Sequence, residues 1–111
     1  MHAILLTNDL MGQSRITSHP NMKSFQWLIA SNPGKVLEHA QAQAVAYCVL
    51  DLELAQNSIE ELVNTLKEHS PETVCIGYGP HVRVDLLKNA RQAGVTHVVP
   101  NSQLDQLLAT L

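Results

Sequence analysis

The chain has few charged residues and no cluster of basic ones. Of its 111 residues, 7 are Lys or Arg and 10 are Asp or Glu, which gives a formal net charge of −3. Non-specific binding of nucleic acid depends on clustered Lys and Arg side chains that neutralise phosphates. This composition therefore argues against a nucleic-acid-binding protein.

The sequence also lacks a long apolar run and a set of paired cysteines. No run approaches the roughly 20 apolar residues that a membrane helix needs. The first residues carry neither a basic segment nor a small-residue cleavage site, so they resemble a strand more than a signal peptide. The two cysteines, Cys48 and Cys75, lie within apolar segments and do not suggest a disulfide framework. We therefore expect a cytoplasmic protein without a membrane segment.

Short apolar segments recur along the chain at nearly regular intervals. Segments 45–50 and 73–76 are almost continuously apolar, which is typical of strands that are covered on both faces. Five segments have the length and character of strands: 3–7, 25–30, 45–50, 73–76 and 97–99.

Amphipathic segments follow these strands and carry helix start and stop signals. Segment 10–17 contains Gly12 and little apolar periodicity, so we expect a short or irregular helix there. The fourth helix is predicted from an apolar stripe that begins at Val82. The predicted signals are a cap at Asn32 before Pro33, a capping box of Ser58 and Glu61, a stop at Gly94, and a cap at Ser102.

This alternation predicts a single α/β domain over residues 1–111. Connections of this length between parallel strands are right-handed and place helices on both faces of the sheet. We therefore expect a doubly wound, five-stranded parallel sheet, with no linker, no repeat and no second domain.

Polar residues follow the predicted strands at the edge where doubly wound folds bind ligands. Two carboxylates from separate strands, Asp9 and Asp51, would suit a hard cation such as Mg²⁺, which takes one or two carboxylates and keeps several waters. The residues at these strand ends are Asn8 and Asp9, Asp51 and Glu53, Gly77 to Gly79, and Pro100 with Asn101.

In element order and in these strand-end residues, the whole chain resembles the receiver domains of two-component response regulators. Segment 90–95 is similar to the alanine–glycine turn before the fifth strand of receivers. The resemblance implies a flavodoxin-like fold with strand order 2-1-3-4-5 and a phosphoacceptor at Asp51. It also implies a Mg²⁺ site formed by Asp9, Asp51 and the backbone carbonyl of Glu53.

Three positions depart from the receiver pattern. Asn8 replaces one carboxylate of the acidic pair, Tyr78 stands at the Thr or Ser position, and Asn101 stands at the lysine position. A phosphoryl group adds nearly two negative charges, and each charge-assisted hydrogen bond to it contributes on the order of 1.5–3 kcal/mol. Because asparagine cannot form an ion pair as lysine does, a phosphorylated Asp51 would lose much of its stabilisation.

We therefore expect a pseudo-receiver, a stand-alone signalling domain that acts by protein–protein interaction without ordinary phosphotransfer and without enzymatic activity. The former acid pocket would be lined by Asn8, Tyr78, Gly79 and Asn101. The resemblance implies a protein partner, such as a histidine kinase or another signalling protein. It also implies that a homodimer could form through helix 4, strand 5 and helix 5 of the five βα units.

Two alternatives stay open. The first is an active receiver that is phosphorylated on Asp51 with Mg²⁺ in a two-component phosphorelay. The second is an anti-sigma-antagonist-like regulatory domain, which would use a Ser or Thr at a helix start as its switch, with Ser58 as the candidate.

Overall fold

The computed structural model describes all residues from 1 to 111. It contains five strands, six α-helices and one short 3₁₀ helix at Asn101–Gln103. The strands are β1 (His2–Leu6), β2 (Gln26–Ala30), β3 (Val45–Asp51), β4 (Val74–Gly79) and β5 (His97–Pro100). The helices are α1 (Leu10–Thr17), α2 (Pro33–Ala42), α3 (Leu52–Ala55), α4 (Ile59–His69), α5 (Val84–Ala93) and α6 (Leu104–Ala109).

All five strands pair in parallel in one sheet with the order β2-β1-β3-β4-β5. The predicted α/β fold, flavodoxin-like with strand order 2-1-3-4-5, is therefore confirmed. Strand β1 lies between β2 and β3, so the order of the strands reverses direction at β1. The carboxyl ends of β1 and β3 are therefore adjacent, which brings the residues that follow them to one edge.

The sheet separates two apolar layers. On one face, Leu6 and Leu50 pack with buried residues of α2, α4 and α5. On the other face, Leu5, Val49 and Ile76 pack with Ile16 of α1 and with α6. Helices therefore cover both faces, which explains why the central strands are apolar on both sides. None of the helices combines the length and the apolar character that crossing a membrane requires.

Several predicted helix boundaries are confirmed by capping contacts. The Asn32 side chain accepts a hydrogen bond from the backbone N–H of Lys35 at 2.9 Å, and Pro33 opens α2. Gly94 ends α5 in the left-handed region, with φ at 100°. Helix α1 also has its predicted bounds, and the Asp9 side chain caps it. These contacts are local, and so a single sequence can reveal them.

Two predicted caps do not form. Ser58 precedes α4 as expected, but its side chain makes no capping hydrogen bond. Ser102 lies inside the 3₁₀ helix, which delays the start of α6 to Leu104. The spacing of Ser58 and Glu61 therefore predicted the start of α4 correctly, but the capping hydrogen bond that it also predicted is absent.

The chain from the end of β4 to the start of α5 differs from the prediction, which ended the fourth strand at residue 76. Gly77 to Gly79 belong to the strand and not to a loop, and α5 begins only at Val84. Val82 is consequently outside the helix and is 72% exposed. The strand is longer because residues 77–79 continue the parallel pairing with β3 and β5. The two glycines also leave room for Leu52, which lies against both of them.

The two cysteines occupy adjacent positions in the sheet. Cys48 of β3 pairs in register with Cys75 of β4, and both are free and buried. Contact with the Cys75 thiol and burial together raise the pKa of Cys48 well above its ordinary value. Thiols that stay protonated are poor nucleophiles, so this pair packs as small apolar residues.

Candidate functional site

A small polar cavity of about 180 Å³ lies at the carboxyl edge of the sheet, next to Asp51. It lies between the carboxyl ends of β1, β3 and β4, one face of α1 and the segment after β5. Ten residues line it: Thr7, Asp9, Gly12, Arg15, Ile16, Asp51, Glu53, Tyr78, Asn101 and Leu104. The convergence of strand ends that the sequence predicted is therefore present in the structure.

Five of the predicted site residues meet in this cavity, and two do not. Asp9, Asp51, Glu53, Tyr78 and Asn101 line it. Asn8 is exposed and lies outside the lining. Gly79 is buried on the other face of the sheet, where an added Cβ would lie 3.7 Å from Cβ of Leu52.

Asp51 ends β3 and caps the short helix α3. Its Oδ1 accepts a hydrogen bond from the backbone N–H of Glu53 at 3.0 Å. Partial burial raises the pKa of the Asp51 carboxyl above its ordinary value, and the charges of Glu53 and Asp9 act in the same direction. Backbone hydrogen bonds from Glu53 and Leu54 oppose this rise. Negative charge at Asp51 is therefore held at an energetic cost.

Asp9 approaches the cavity from the start of α1. Its Oδ1 accepts a hydrogen bond from the backbone N–H of Met11 at 3.1 Å, and its own N–H donates to Oγ1 of Thr7 at 3.1 Å. Its Oδ2 lies over Gly12, where an added Cβ would be only 3.0 Å away. The absence of a side chain at Gly12 therefore lets the carboxylate fold back onto the first turn of its helix.

Tyr78 stands beside Asp51 in the sheet. The two residues are register partners in β3 and β4, and both line the cavity. Burial raises the pKa of Tyr78 to about 12, with smaller contributions from the charges of Asp51 and Asp9. The Thr7 hydroxyl and the Arg15 charge oppose this rise. Tyr78 is thus a neutral phenol in contact with the acid pocket.

The single cationic side chain that lines the cavity is Arg15 of α1. Asn101, at the position where receivers carry lysine, also lines the cavity but has no charge. Sequence reasoning missed Arg15 and the buried Thr7. The sequence shows only that Gly12, Arg15 and Ile16 lie on one face of a helix, and not that this face points to the strand ends.

These residues offer a divalent cation few protein ligands, so water would have to fill the remaining coordination positions. No group of three or more His, Cys, Asp or Glu side chains is arranged to hold a metal ion. The carboxylates of Asp9 and Asp51 each accept a backbone hydrogen bond, and Arg15 contributes a positive charge to the same cavity. A metal would therefore have two carboxylates, at most one backbone carbonyl, and a cation nearby.

The largest cavity lies at the opposite, amino-terminal edge of the sheet. It has a volume of about 850 Å³ and is lined mainly by apolar surface of the strand starts and the preceding loops. His2 and His69 are at its border, but none of the predicted site residues reaches it. The predicted site residues therefore lie at the smaller, polar cavity.

No protein-family model and no curated protein sequence matches the chain. Solved structures do match its fold. A response regulator from Hahella chejuensis superposes with a TM-score of 0.80 at 17% identity, covering 98% of this chain and 89% of that one.

Two further structures are similar over the same 98% of the chain, each at 13% identity. The receiver domain of a sensor histidine kinase from Pseudomonas aeruginosa, with a magnesium ion in its active-site cleft, gives a TM-score of 0.75 and 94% coverage of its own chain. A response regulator from Burkholderia pseudomallei, with a phosphorylated aspartic acid and a calcium ion, gives 0.78, and the present chain spans 64% of its length. This chain has the receiver-domain fold of response regulators.

Proposed function

We propose that this chain is a receiver-like signalling domain that acts by protein–protein interaction and does not carry out ordinary phosphotransfer at Asp51. The observation that carries the proposal is the composition of the Asp51 cavity. Tyr78 and Asn101 line it at the positions where receivers have a small hydroxyl residue and a lysine, and no lysine lines it.

The charge balance around Asp51 supports this proposal. Burial and the neighbouring carboxylates already raise the pKa of Asp51, so a single negative charge is disfavoured there. A phosphoryl group would bring nearly two negative charges to the same place. Asn101 could donate a hydrogen bond to a phosphoryl oxygen, but it carries no positive charge to offset the added negative charge as lysine does.

A partner surface is also part of the proposal. The face formed by α5, β5 and α6 corresponds to the predicted face for a partner or for a homodimer. Leu87, Leu104 and Leu108 on these elements are buried in the domain itself. Val84 at the start of α5 is 66% exposed, but a single exposed apolar side chain does not by itself mark an interface. Sedimentation of the chain over a range of concentrations would test the homodimer.

The test of the proposed function is exposure to a small phosphodonor. The chain and its Asp51→Asn variant are incubated with acetyl phosphate and Mg²⁺ and then examined by intact-mass spectrometry. We expect neither protein to gain the mass of a phosphoryl group. A gain in the native chain that is absent from Asp51→Asn would contradict the proposal and support the second candidate.

The second candidate is an active receiver phosphorylated on Asp51. It is favoured by the adjacency of Asp9 and Asp51 in one cavity and by the phosphorylated aspartic acid described for the Burkholderia pseudomallei structure. A histidine kinase would then be the natural partner. The anti-sigma-antagonist alternative is not retained, because the fold is that of receivers and the Ser58 side chain makes no helix-start contact.

A further inference from the structure

Strand β2 forms one edge of the sheet, and its hydrogen bonds to β1 show which way its backbone groups point. Strand β1 is its only neighbour. At one end of β2, the N–H of Gln26 donates to the carbonyl of Met1 at 2.9 Å. At the other end, the carbonyl of Ala30 accepts from the N–H of Thr7 at 2.9 Å. Residues at the even positions of β2 therefore form its bonds to β1.

The odd positions of β2 point their backbone groups outward. Because backbone groups alternate in direction along a strand, Leu28 also faces β1, whereas Trp27 and Ile29 face away from it. No strand lies beyond β2. The N–H and C=O groups of Trp27 and Ile29 thus form an open row of donors and acceptors, which is a template for a further strand.

The opposite edge of the sheet is protected against such pairing, and the β2 edge is not. Strand β5 has only four residues and ends in Pro100, and the guanidinium of Arg91 approaches the carbonyl of Val98 at 3.5 Å. Shortness, proline and charged side chains are means by which edge strands avoid pairing. Strand β2 contains neither proline nor charge, and no charged residue lies between Lys23 and Lys35.

The outer edge of β2 is complementary to a second copy of itself. In an antiparallel pair with a twofold axis at Leu28, Trp27 of one chain lies opposite Ile29 of the other. Both residues point outward, so each such pair exchanges both of its hydrogen bonds. An aromatic residue opposite a β-branched one is a favourable cross-strand pair, and Leu28 then faces its own copy.

The side chains along this edge are apolar on both faces of the sheet and are only partly covered. Leu28 packs against the layer that contains α2, and Trp27 and Ile29 pack against the layer that contains α1 and α6. All three are half-buried. Pairing of two β2 strands would therefore extend both apolar layers across the twofold axis.

We propose that the outer edge of β2 is the homodimer interface of this chain, with the two β2 strands paired antiparallel in one sheet that runs through both chains. The occupant is a second copy because the apolar pattern around Leu28 matches itself when reversed. The uncharged edge also brings no local repulsion between two chains that each carry a net charge of −3. This interface goes beyond the proposed function, and it leaves the face formed by α5, β5 and α6 open to a different partner.

Sedimentation equilibrium from micromolar to millimolar protein tests the interface with the native chain, Leu28→Lys, Leu28→Glu and Val84→Lys. Residue 28 faces its own copy at the twofold axis, so each charged variant sets like charges opposite each other. Val84 is 66% exposed on α5, so Val84→Lys is the control on the other face. We expect the native chain and Val84→Lys to dimerise equally, and both Leu28 variants at least about tenfold more weakly.

An equimolar mixture of Leu28→Lys and Leu28→Glu tests the twofold pairing itself. Opposite charges then face each other, so the mixture should associate more tightly than either variant alone. A native chain that stays monomeric at millimolar concentration would overturn the inference. A native-like dimer of Leu28→Lys, or a mixture that associates no better than its components, would overturn it as well. So would a dimer that is weakened only by Val84→Lys.

Hydrogen exchange of the native chain decides the question if the Leu28 variants do not fold. In the monomer, the N–H groups of Trp27 and Ile29 point to water, whereas that of Leu28 is bonded to β1. Raising the protein concentration should therefore slow exchange at Trp27 and Ile29 and change it much less at Leu28. Exchange at Trp27 and Ile29 that does not depend on concentration would contradict the interface.

Discussion

The contact between Leu52 and the glycines of β4 gives a sharp prediction, because it positions the residue that follows Asp51. Leu52 is fully buried. A Cβ added at Gly77 would lie 2.8 Å from Cδ2 of Leu52 and 3.2 Å from both Cδ1 and Cγ. A Cβ added at Gly79 would meet its nearest atoms only at 3.7 and 3.8 Å. The two glycines are thus a matched pair on one strand.

Replacement of each glycine by alanine should therefore have opposite effects. Neither glycine has a positive φ, so alanine fits the backbone and restricts the unfolded chain, which stabilises by about 0.4–1 kcal/mol. Gly79→Ala should show this gain. Gly77→Ala should lose about 1–3 kcal/mol from overpacking against Leu52, which leaves a net loss of up to about 2.6 kcal/mol.

Urea unfolding followed by circular dichroism would measure the difference, and thermal midpoints should differ by roughly 4 °C per kcal/mol. The variant Leu52→Ala adds a second check, because it removes the atoms that Gly77→Ala would strike. The Gly77→Ala loss should therefore shrink in a Leu52→Ala background. Equal stability of Gly77→Ala and Gly79→Ala would refute the packing argument.

Three further predictions concern ionisation and backbone conformation. Asp51→Asn should raise the free energy of unfolding at pH 7. The native pKa of Asp51 lies above its ordinary value of 3.8, so the native state binds more protons than the unfolded state between these two values. The stability of the native chain therefore falls as the pH rises through them, and asparagine removes this loss. Urea midpoints at pH 7 and pH 3 test this, and a gain that persists undiminished at pH 3 would count against it. Tyr78→Phe should remove one tyrosinate absorbance step near pH 12. The native chain should lose stability relative to this variant between pH 10 and 12, because the folded state keeps the Tyr78 proton to a higher pH than the unfolded state does. A Tyr78 absorbance step near pH 10 would contradict this. Gly94→Ala should cost about 1–2 kcal/mol, because φ is 100° there, whereas Gly94→Asn should cost less in the same urea assay; equal losses would argue against backbone strain.

Much of the fold could be predicted from the sequence because its signals are local. Alternating apolar and amphipathic segments gave the five strands, and the cap at Asn32 and the stop at Gly94 were correct. The extent of β4 could not be predicted in this way. Gly77 and Gly79 have the composition of a turn, and their place in the sheet depends on pairing with β3 and β5, which are distant in sequence.

The same distinction applies to the site. Parallel strands end at one edge, and so the meeting of Asp9, Asp51 and Tyr78 in one cavity followed from the strand pattern. Arg15 was missed because it comes from a helix with weak apolar periodicity, where the facing side is hard to assign. Its contribution depends on how α1 packs against the sheet through Ile16.

Beryllofluoride, which mimics a phosphoryl group, tests whether the Asp51 pocket supports a phosphorylated state, which we propose it does not. Beryllofluoride with Mg²⁺ is titrated into the ¹⁵N-labelled chain and into Asp51→Asn, and the amide shifts around Asp51, Tyr78 and Asn101 are followed. We expect no saturable shift that depends on Asp51. Saturable shifts in the native chain that are lost in Asp51→Asn would contradict it.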